Sequence, residues 1–149
     1  MTLKKYYTVG IYQQRSADII IMKPSVWSPV GYRTELNLQY KLEGEDINAE
    51  ALGTMLIQCL ARSMENTSTL EERAVPKSGI FSTNGKMTKN LRRQIGYIYP
   101  GKHYKFVPLR AEKKGYFDFE NDALDMIVPL ECSNTQLGNA ILETFKNCT

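Results

Sequence analysis

The stretch that decides the fold is Ser133-Asn134-Thr135-Gln136-Leu137-Gly138-Asn139-Ala140-Ile141-Leu142-Glu143-Thr144-Phe145. A serine three residues ahead of a glutamine is the reciprocal pattern that satisfies two orphan N–H groups at a helix start, so Ser133 is the expected N-cap. Leu137, Ala140, Ile141, Phe145 and Cys148 then recur at helical spacing and give one buried stripe. Gly138, early in this helix, costs about 1 kcal/mol against alanine. Its presence predicts a neighbour packed closely on the bare backbone. Directly upstream, the apolar run Asp125-Met126-Ile127-Val128-Pro129-Leu130 reads as a strand. The chain thus closes on a strand, a three-residue break and a helix.

A similar unit stands earlier. Leu36, Leu38, Tyr40 and Leu42 alternate with Asn37, Gln39 and Lys41, the period of a half-buried strand. After the charged turn Glu43-Gly44-Glu45-Asp46, Asn48 is placed to cap a helix with Leu52, Met55, Leu56, Cys59, Leu60 and Ser63 on one side. Leu52-Gly53-Thr54-Met55-Leu56-Ile57 and Leu137-Gly138-Asn139-Ala140-Ile141-Leu142 carry Leu-Gly at the same point. Two copies are too few for a solenoid, and both a repeated unit and a chance match of two amphipathic patterns fit.

The remaining elements follow outward. Tyr6 to Tyr12 and Asp18 to Met22 read as strands, being rich in aromatic and β-branched residues. Lys23 to Tyr32, with two prolines and a glycine around Trp27, reads as a connection, and Trp27 as a lid over one end of the core or a partner contact. Glu65 to Ala74 has a weak helical pattern, and Lys77 to Lys89 reads as a loop tipped by Asn84-Gly85, with a tight hairpin between Ile80-Phe81 and Met87 as the alternative. Ile95–Tyr99 and Tyr104–Leu109 flank Pro100-Gly101, the residues of a type II turn, and predict a hairpin. Tyr116 to Glu120 is a further strand, with Phe117 and Phe119 on one face and Asp118 and Glu120 on the other. The expected order is β-β-β-α, an irregular middle, then β-β-β-β-α. This is an α+β fold: a mostly antiparallel sheet of six to seven strands with two long helices packed on it.

At 149 residues the chain fits one domain over 1–149, and a domain of this size buries about 68–70% of its unfolded surface, enough for a core without staples. Met1-Thr2-Leu3-Lys4-Lys5 leads into strand-like residues with no apolar leader, which predicts a cytoplasmic protein. No apolar run approaches the roughly 20 residues of a membrane span. The sequons at Asn66 and Asn147 are then without meaning. Cys59, Cys132 and Cys148 are odd in number, widely spaced and read as small hydrophobes of a reducing compartment. The net charge of +3 is unevenly spread: residues 77–114 carry 10 basic and 1 acidic side chains, and residues 115–149 carry 1 and 6.

The residues do not assemble a catalytic set, so no enzyme and no cofactor is expected. His103 stands alone in the predicted turn, and Cys59 and Cys148 belong to buried stripes. Asp118, Glu120, Asp122 and Asp125 lack the glycine and closing glutamate of a calcium loop and read as a solvated acidic face. Glu112-Lys113-Lys114 resembles part of a nuclease motif, but no aspartate lies between Asp46 and Asp118 to complete it. Phosphate-cradling glycine runs are missing. Nucleic-acid binding has more support, because Lys89, Arg92, Arg93, Lys102, Lys105 and Arg110 alternate with Tyr97, Tyr99, Tyr104 and Phe106 over 86–114. The bland reading makes those tyrosines the inward faces of two strands and the charges their wet faces. Lys114-Gly115-Tyr116 begins like an RNA-recognition octapeptide, yet Asp118 falls where a stacking ring belongs.

The paired Leu-Gly helices, each behind a strand and one closing the chain, in a small protein without catalytic residues, resemble the immunity proteins of bacterial contact-dependent growth inhibition systems. The resemblance covers about half the chain. It implies a cytosolic protein that binds the C-terminal toxin domain delivered by a neighbouring cell, often a nuclease, and blocks it stoichiometrically without chemistry. Asp118, Glu120, Asp122 and Asp125 would then mimic phosphates in the toxin's basic groove, with Tyr116 as the aromatic anchor. The basic middle is the competing interface, and a nucleic-acid-binding module is the competing function.

Overall fold

The computed structural model describes residues 6–14, 18–28, 30–73, 91–112, 115–118 and 122–148, and for 111–112, 115–118 and 122 only the course of the backbone. Eight strands and two long helices form an α+β fold. The strands are β1 Tyr7–Gln14, β2 Ile19–Trp27, β3 Arg33–Glu35, β4 Tyr40–Glu43, β5 Leu91–Tyr99, β6 His103–Glu112, β7 Gly115–Asp118 and β8 Met126–Pro129. The helices are α1 Ala49–Glu65, the single turn α2 Leu70–Arg73, and α3 Asn134–Lys146. The sheet is antiparallel, ordered β3-β2-β1-β5-β6-β7, with β4 also on β2 and β8 also on β6.

Each outer edge is shared by two short strands. On β2, Ile19–Met22 pair with β4 and Ser25–Trp27 with β3. On β6, His103–Phe106 pair with β8 and Leu109–Glu112 with β7. The order is therefore the same read from either edge, and β1–β4 with α1 correspond to β5–β8 with α3. Asn48 and Ser133, Leu52 and Leu137, and Gly53 and Gly138 are each 85 residues apart. Both N-caps bond as expected: Asn48 Oδ1 accepts from Ala51 N at 2.9 Å, and Ser133 completes both arms of its capping box. The two glycines explain each other. A Cβ on Gly53 would collide with the Asn134 carbonyl, and one on Gly138 with the Ala49 carbonyl, so each helix rests its first residue on the other's glycine. The unit first seen as strand, turn and helix extends to the whole of both halves, with residues 66–90 between them.

Two boundaries differ from expectation. The segment after Met22 is strand up to Trp27, despite Pro24. The Pro24 carbonyl accepts outward from Leu36 N, so the missing N–H lies on that same outer side, where β4 has ended and β3 has not begun. The alternating run from Leu36 is strand only over Tyr40–Glu43, because Leu36 is buried beside β2 and the chain bends before resuming. The antiparallel α+β sheet of about six to seven strands is as expected, and with β3 counted separately the described residues form eight. Gly101 has φ 76 and Lys102 N bonds Tyr99 O at 2.9 Å, the type II turn expected at Pro100-Gly101.

Val9, Ile11, Ile20, Met22 and Phe106 from the sheet meet Leu52, Leu56, Leu60, Leu137, Ile141 and Phe145 from the helices. Each such side chain contributes about 1.5–3 kcal/mol when removed from water. Strand alternation sends the intervening residues to the second face of the sheet, away from both helices.

Candidate functional site

That second face carries two clusters. In the first, Gly10 leaves room for the Glu35 carboxylate, which a Cβ there would strike. Tyr12 donates its hydroxyl to Glu35 at 2.6 Å, Lys23 Nζ lies 3.6 Å from one carboxylate oxygen and Arg93 Nη2 3.2 Å from the other. The Arg93 guanidinium also lies 5.2 Å from the Tyr12 ring centre. Burial pulls the Lys23 pKa down, opposed by the Glu35 charge and aided by Arg93. One carboxylate thus holds a phenol and two cations, which is an internal staple. The lone lysine in the apolar run from Ile19 to Val26 was the visible signal; its partner on β3 was not.

The second cluster lies toward the β5–β6 turn. Ser63 donates to the Ser25 carbonyl, and Asn66 Oδ1 accepts from Trp27 N at 2.7 Å, so the end of α1 fixes the end of β2. Trp27 Nε1 donates to the Tyr6 carbonyl at 3.2 Å, and its ring meets the Tyr6 ring edge-on at 5.3 Å. Tyr6 in turn lies 5.5 Å from Tyr97 and 5.7 Å from Tyr99, and Tyr99 4.9 Å from His103. Arg33 sits 5.7 Å and 5.9 Å from the centres of Tyr6 and Tyr97, and Lys105 5.0 Å and 5.4 Å from Tyr97 and Tyr99. Burial lowers the Lys105 pKa, but the Tyr99 hydroxyl and the Asp125 charge outweigh it and leave it raised. Rings and cations therefore share one face. The inward residues of β5 are instead Gln94, Gly96 and Ile98, which corrects the expectation that Tyr97 and Tyr99 face the core, while Tyr104 on β6 does face it as expected.

The six basic residues read from sequence are not gathered. Lys89 lies outside the described residues, Arg93 belongs to the Glu35 staple, Lys102 is in the turn, and Lys105 is among the rings. Alternation places Arg92 and Arg110 on the opposite side of their strands from Arg93 and Lys105. Of the acidic set, Glu120 lies outside the described residues, Tyr116 and Asp118 occupy β7, Asp122 begins a 3-10 turn, and Asp125 is half-buried next to β8. The structure describes no side chain of Tyr116, Asp118 or Asp122.

No chemistry gathers elsewhere among the described residues. No three His, Cys, Asp or Glu side chains come together as metal ligands there. Burial pushes the Cys59 thiol far above its usual range, and Cys148 Sγ donates to the Arg93 carbonyl at 3.2 Å. A cleft of about 570 Å³ between β4 and α1, lined by Tyr40, Leu42, Ala51, Thr54 and Met55, holds no nucleophile paired with a base. Among the described residues no helix is long and apolar enough to cross a membrane.

No protein-family model and no curated protein matches the sequence. Solved structures that share the fold include the following two. A protein of unknown function from Neisseria meningitidis superposes with a TM-score of 0.74 at 18% identity, over 100% of both chains. A chain of the CdiA-CT/CdiI toxin and immunity complex from Yersinia pseudotuberculosis superposes with a TM-score of 0.72 at 13% identity, over 99% of this chain and 100% of that one.

Proposed function

We propose that this chain is an immunity protein that binds the C-terminal domain of a toxin of contact-dependent growth inhibition and blocks it by stoichiometric occlusion, without catalysis. The observation that carries the reading is the end-to-end likeness to a chain of a toxin and immunity complex. The two-fold repetition of a β-β-β-β-α unit, whose described residues gather no catalytic set, supports it. The proposed target is a nuclease domain, met in the cytoplasm. Its basic groove suits the acidic segment Tyr116, Asp118, Glu120, Asp122 and Asp125, where complementary charge raises association to about 10⁸ M⁻¹s⁻¹ or more.

The test uses the toxin domain that this reading expects to be encoded directly before this chain's gene. Co-expression is expected to restore growth, and one equivalent of purified chain to abolish nuclease activity. A toxin that stays active in excess chain ends the reading. Reversing Asp118 and Glu120 together to lysine is expected to weaken the complex at least tenfold, about 1.4 kcal/mol. An unchanged Kd removes the acidic segment from the interface and leaves occlusion itself standing.

A further inference from the structure

The Glu35 staple has an internal counterpart. Lys23, Gly10, Ile95 and Val107 lie in one row across the four central strands, and the two-fold relation between the halves passes through Gly10 and Ile95. On either side of that row, Tyr12 is opposite Arg93 on β5 and Tyr97 is opposite Lys105 on β6. Tyr12 and Tyr97 are thus mates, and each has a cation over its ring, Arg93 at 5.2 Å and Lys105 at 5.0 Å. The first tyrosine and its cation hold the Glu35 carboxylate. Around the second, Arg33 donates to Thr8 Oγ1 at 2.9 Å, and Lys105 has the Tyr99 hydroxyl and the more distant Asp125 charge for company, with no carboxylate shared between the two cations among the described residues. Arg33 is exposed, the rings are half-buried, and Ile127, cross-strand neighbour of Lys105, is 62% exposed.

Resting on the toxin reading above, we infer that this end of the second face, framed by Arg33, Tyr6, Trp27, Tyr97, Tyr99 and Lys105, docks an acidic segment of the protein partner. A carboxylate that bridges Arg33 and Lys105 beside the tyrosine rings repeats what Glu35 does for Lys23 and Arg93 inside the fold. Tyrosine, tryptophan and arginine are the side chains that concentrate binding energy at protein interfaces, and Ile127 extends the patch with apolar surface. Single-stranded nucleic acid fits less well. Base stacking needs open ring faces, and here Arg33 and Lys105 already lie over them.

Trp27 is the chain's only tryptophan, so its emission reports occupation of this face. The full chain is titrated with the toxin domain, with a short Asp/Glu/Leu peptide and with an oligouridylate of equal charge. The peptide is expected to shift Trp27 emission and to compete with the toxin domain. Arg33→Glu with Lys105→Glu is expected to weaken toxin binding at least tenfold with an unchanged urea midpoint, and Ile127→Asp to weaken it several-fold without touching the fold. Unchanged affinity in both variants overturns the inference, as does a Trp27 response to the oligouridylate and not to the peptide. If the wild-type chain fails to bind the toxin domain, the toxin reading falls, and the peptide titration alone then decides this face.

Discussion

The two halves of the sheet agree on one side and differ on the other. Facing the helices, both halves present the same scheme: a capped helix, a Leu-Gly pair, and a stripe whose buried positions Leu52, Leu56 and Leu60 recur as Leu137, Ile141 and Phe145. On the second face the mates diverge. Lys23 corresponds to Val107, Thr8 to Arg93, and Ile21 to Lys105. A duplicated scaffold has to keep its core in both copies, because packing leaves little tolerance for a changed volume. It is free to lose symmetry where side chains meet solvent or a partner. Departure from symmetry therefore sets apart what lies outside the shared core, here the Glu35 staple that ties β1, β2, β3 and β5 together and the ring cluster at the other end of the face.

The largest test of the shared side is at the glycines. Gly53→Ala and Gly138→Ala should each gain about 1 kcal/mol of helix propensity. Each must also push a Cβ into the other helix's first carbonyl, which is backbone and cannot swing aside. A net loss of about 3 kcal/mol is expected for both, at the high end of overpacking costs, read from urea unfolding. Similar losses sharpen the correspondence. A neutral result at either glycine breaks it, since the contact is reciprocal.

On the divergent side, Glu35→Gln strands Lys23 and Arg93. The expected loss is about 2 kcal/mol, below the roughly 3–5 kcal/mol of a fully buried pair, because the Glu35 and Arg93 side chains are 21% and 28% exposed. Adding Lys23→Val, which borrows the second half's Val107, should recover part of that loss. Asp118 is opposite Leu109 as Glu35 is opposite Ser25. The mates of Lys23 and Arg93 are Val107 and Thr8, so Asp118→Asn is expected to cost under about 0.5 kcal/mol. Equal losses at Glu35 and Asp118 would show that the staple is itself duplicated.

How much of this was legible follows from range. Local rules placed Asn48 and Ser133 as caps, aligned the helix stripes, typed the Pro100-Gly101 turn and foresaw a close neighbour at Gly138. They failed where the deciding partner was distant. Pro24 reads as a break until the gap between β4 and β3 accommodates it. Leu36 reads as strand until its burial beside β2 bends the chain. Glu35, Lys23 and Arg93 come from three separate strands, and no spacing announces them. Tyr97 and Lys105 read as opposite faces until the hairpin register sets them side by side. The acidic segment was legible as charge alone.

The smallest test separates Cys59 from its mate. Adding 85 to Cys59 gives Thr144, equally buried, whose hydroxyl bonds the Ala140 carbonyl at 2.7 Å and does not titrate in the working range. Burial raises the Cys59 pKa far above the ordinary thiol value near 9. Its contribution to stability is therefore complete below that ordinary value. As pH rises further, the unfolded chain sheds the thiol proton while the folded chain keeps it, and stability falls by up to about 1.4 kcal/mol per pH unit. The raised Tyr40, Tyr104 and Cys132 add to the same alkaline decline. Cys59→Ala leaves a cavity that lowers stability at every pH, so the informative quantity is the slope of unfolding free energy between pH 9 and 10.5. That slope should be shallower than wild type by about 1 kcal/mol per pH unit. Thr144→Ala should lower the whole curve without changing its slope. A parallel curve for Cys59→Ala would mean that water reaches the thiol and that the two halves of the core are less alike in packing than in topology.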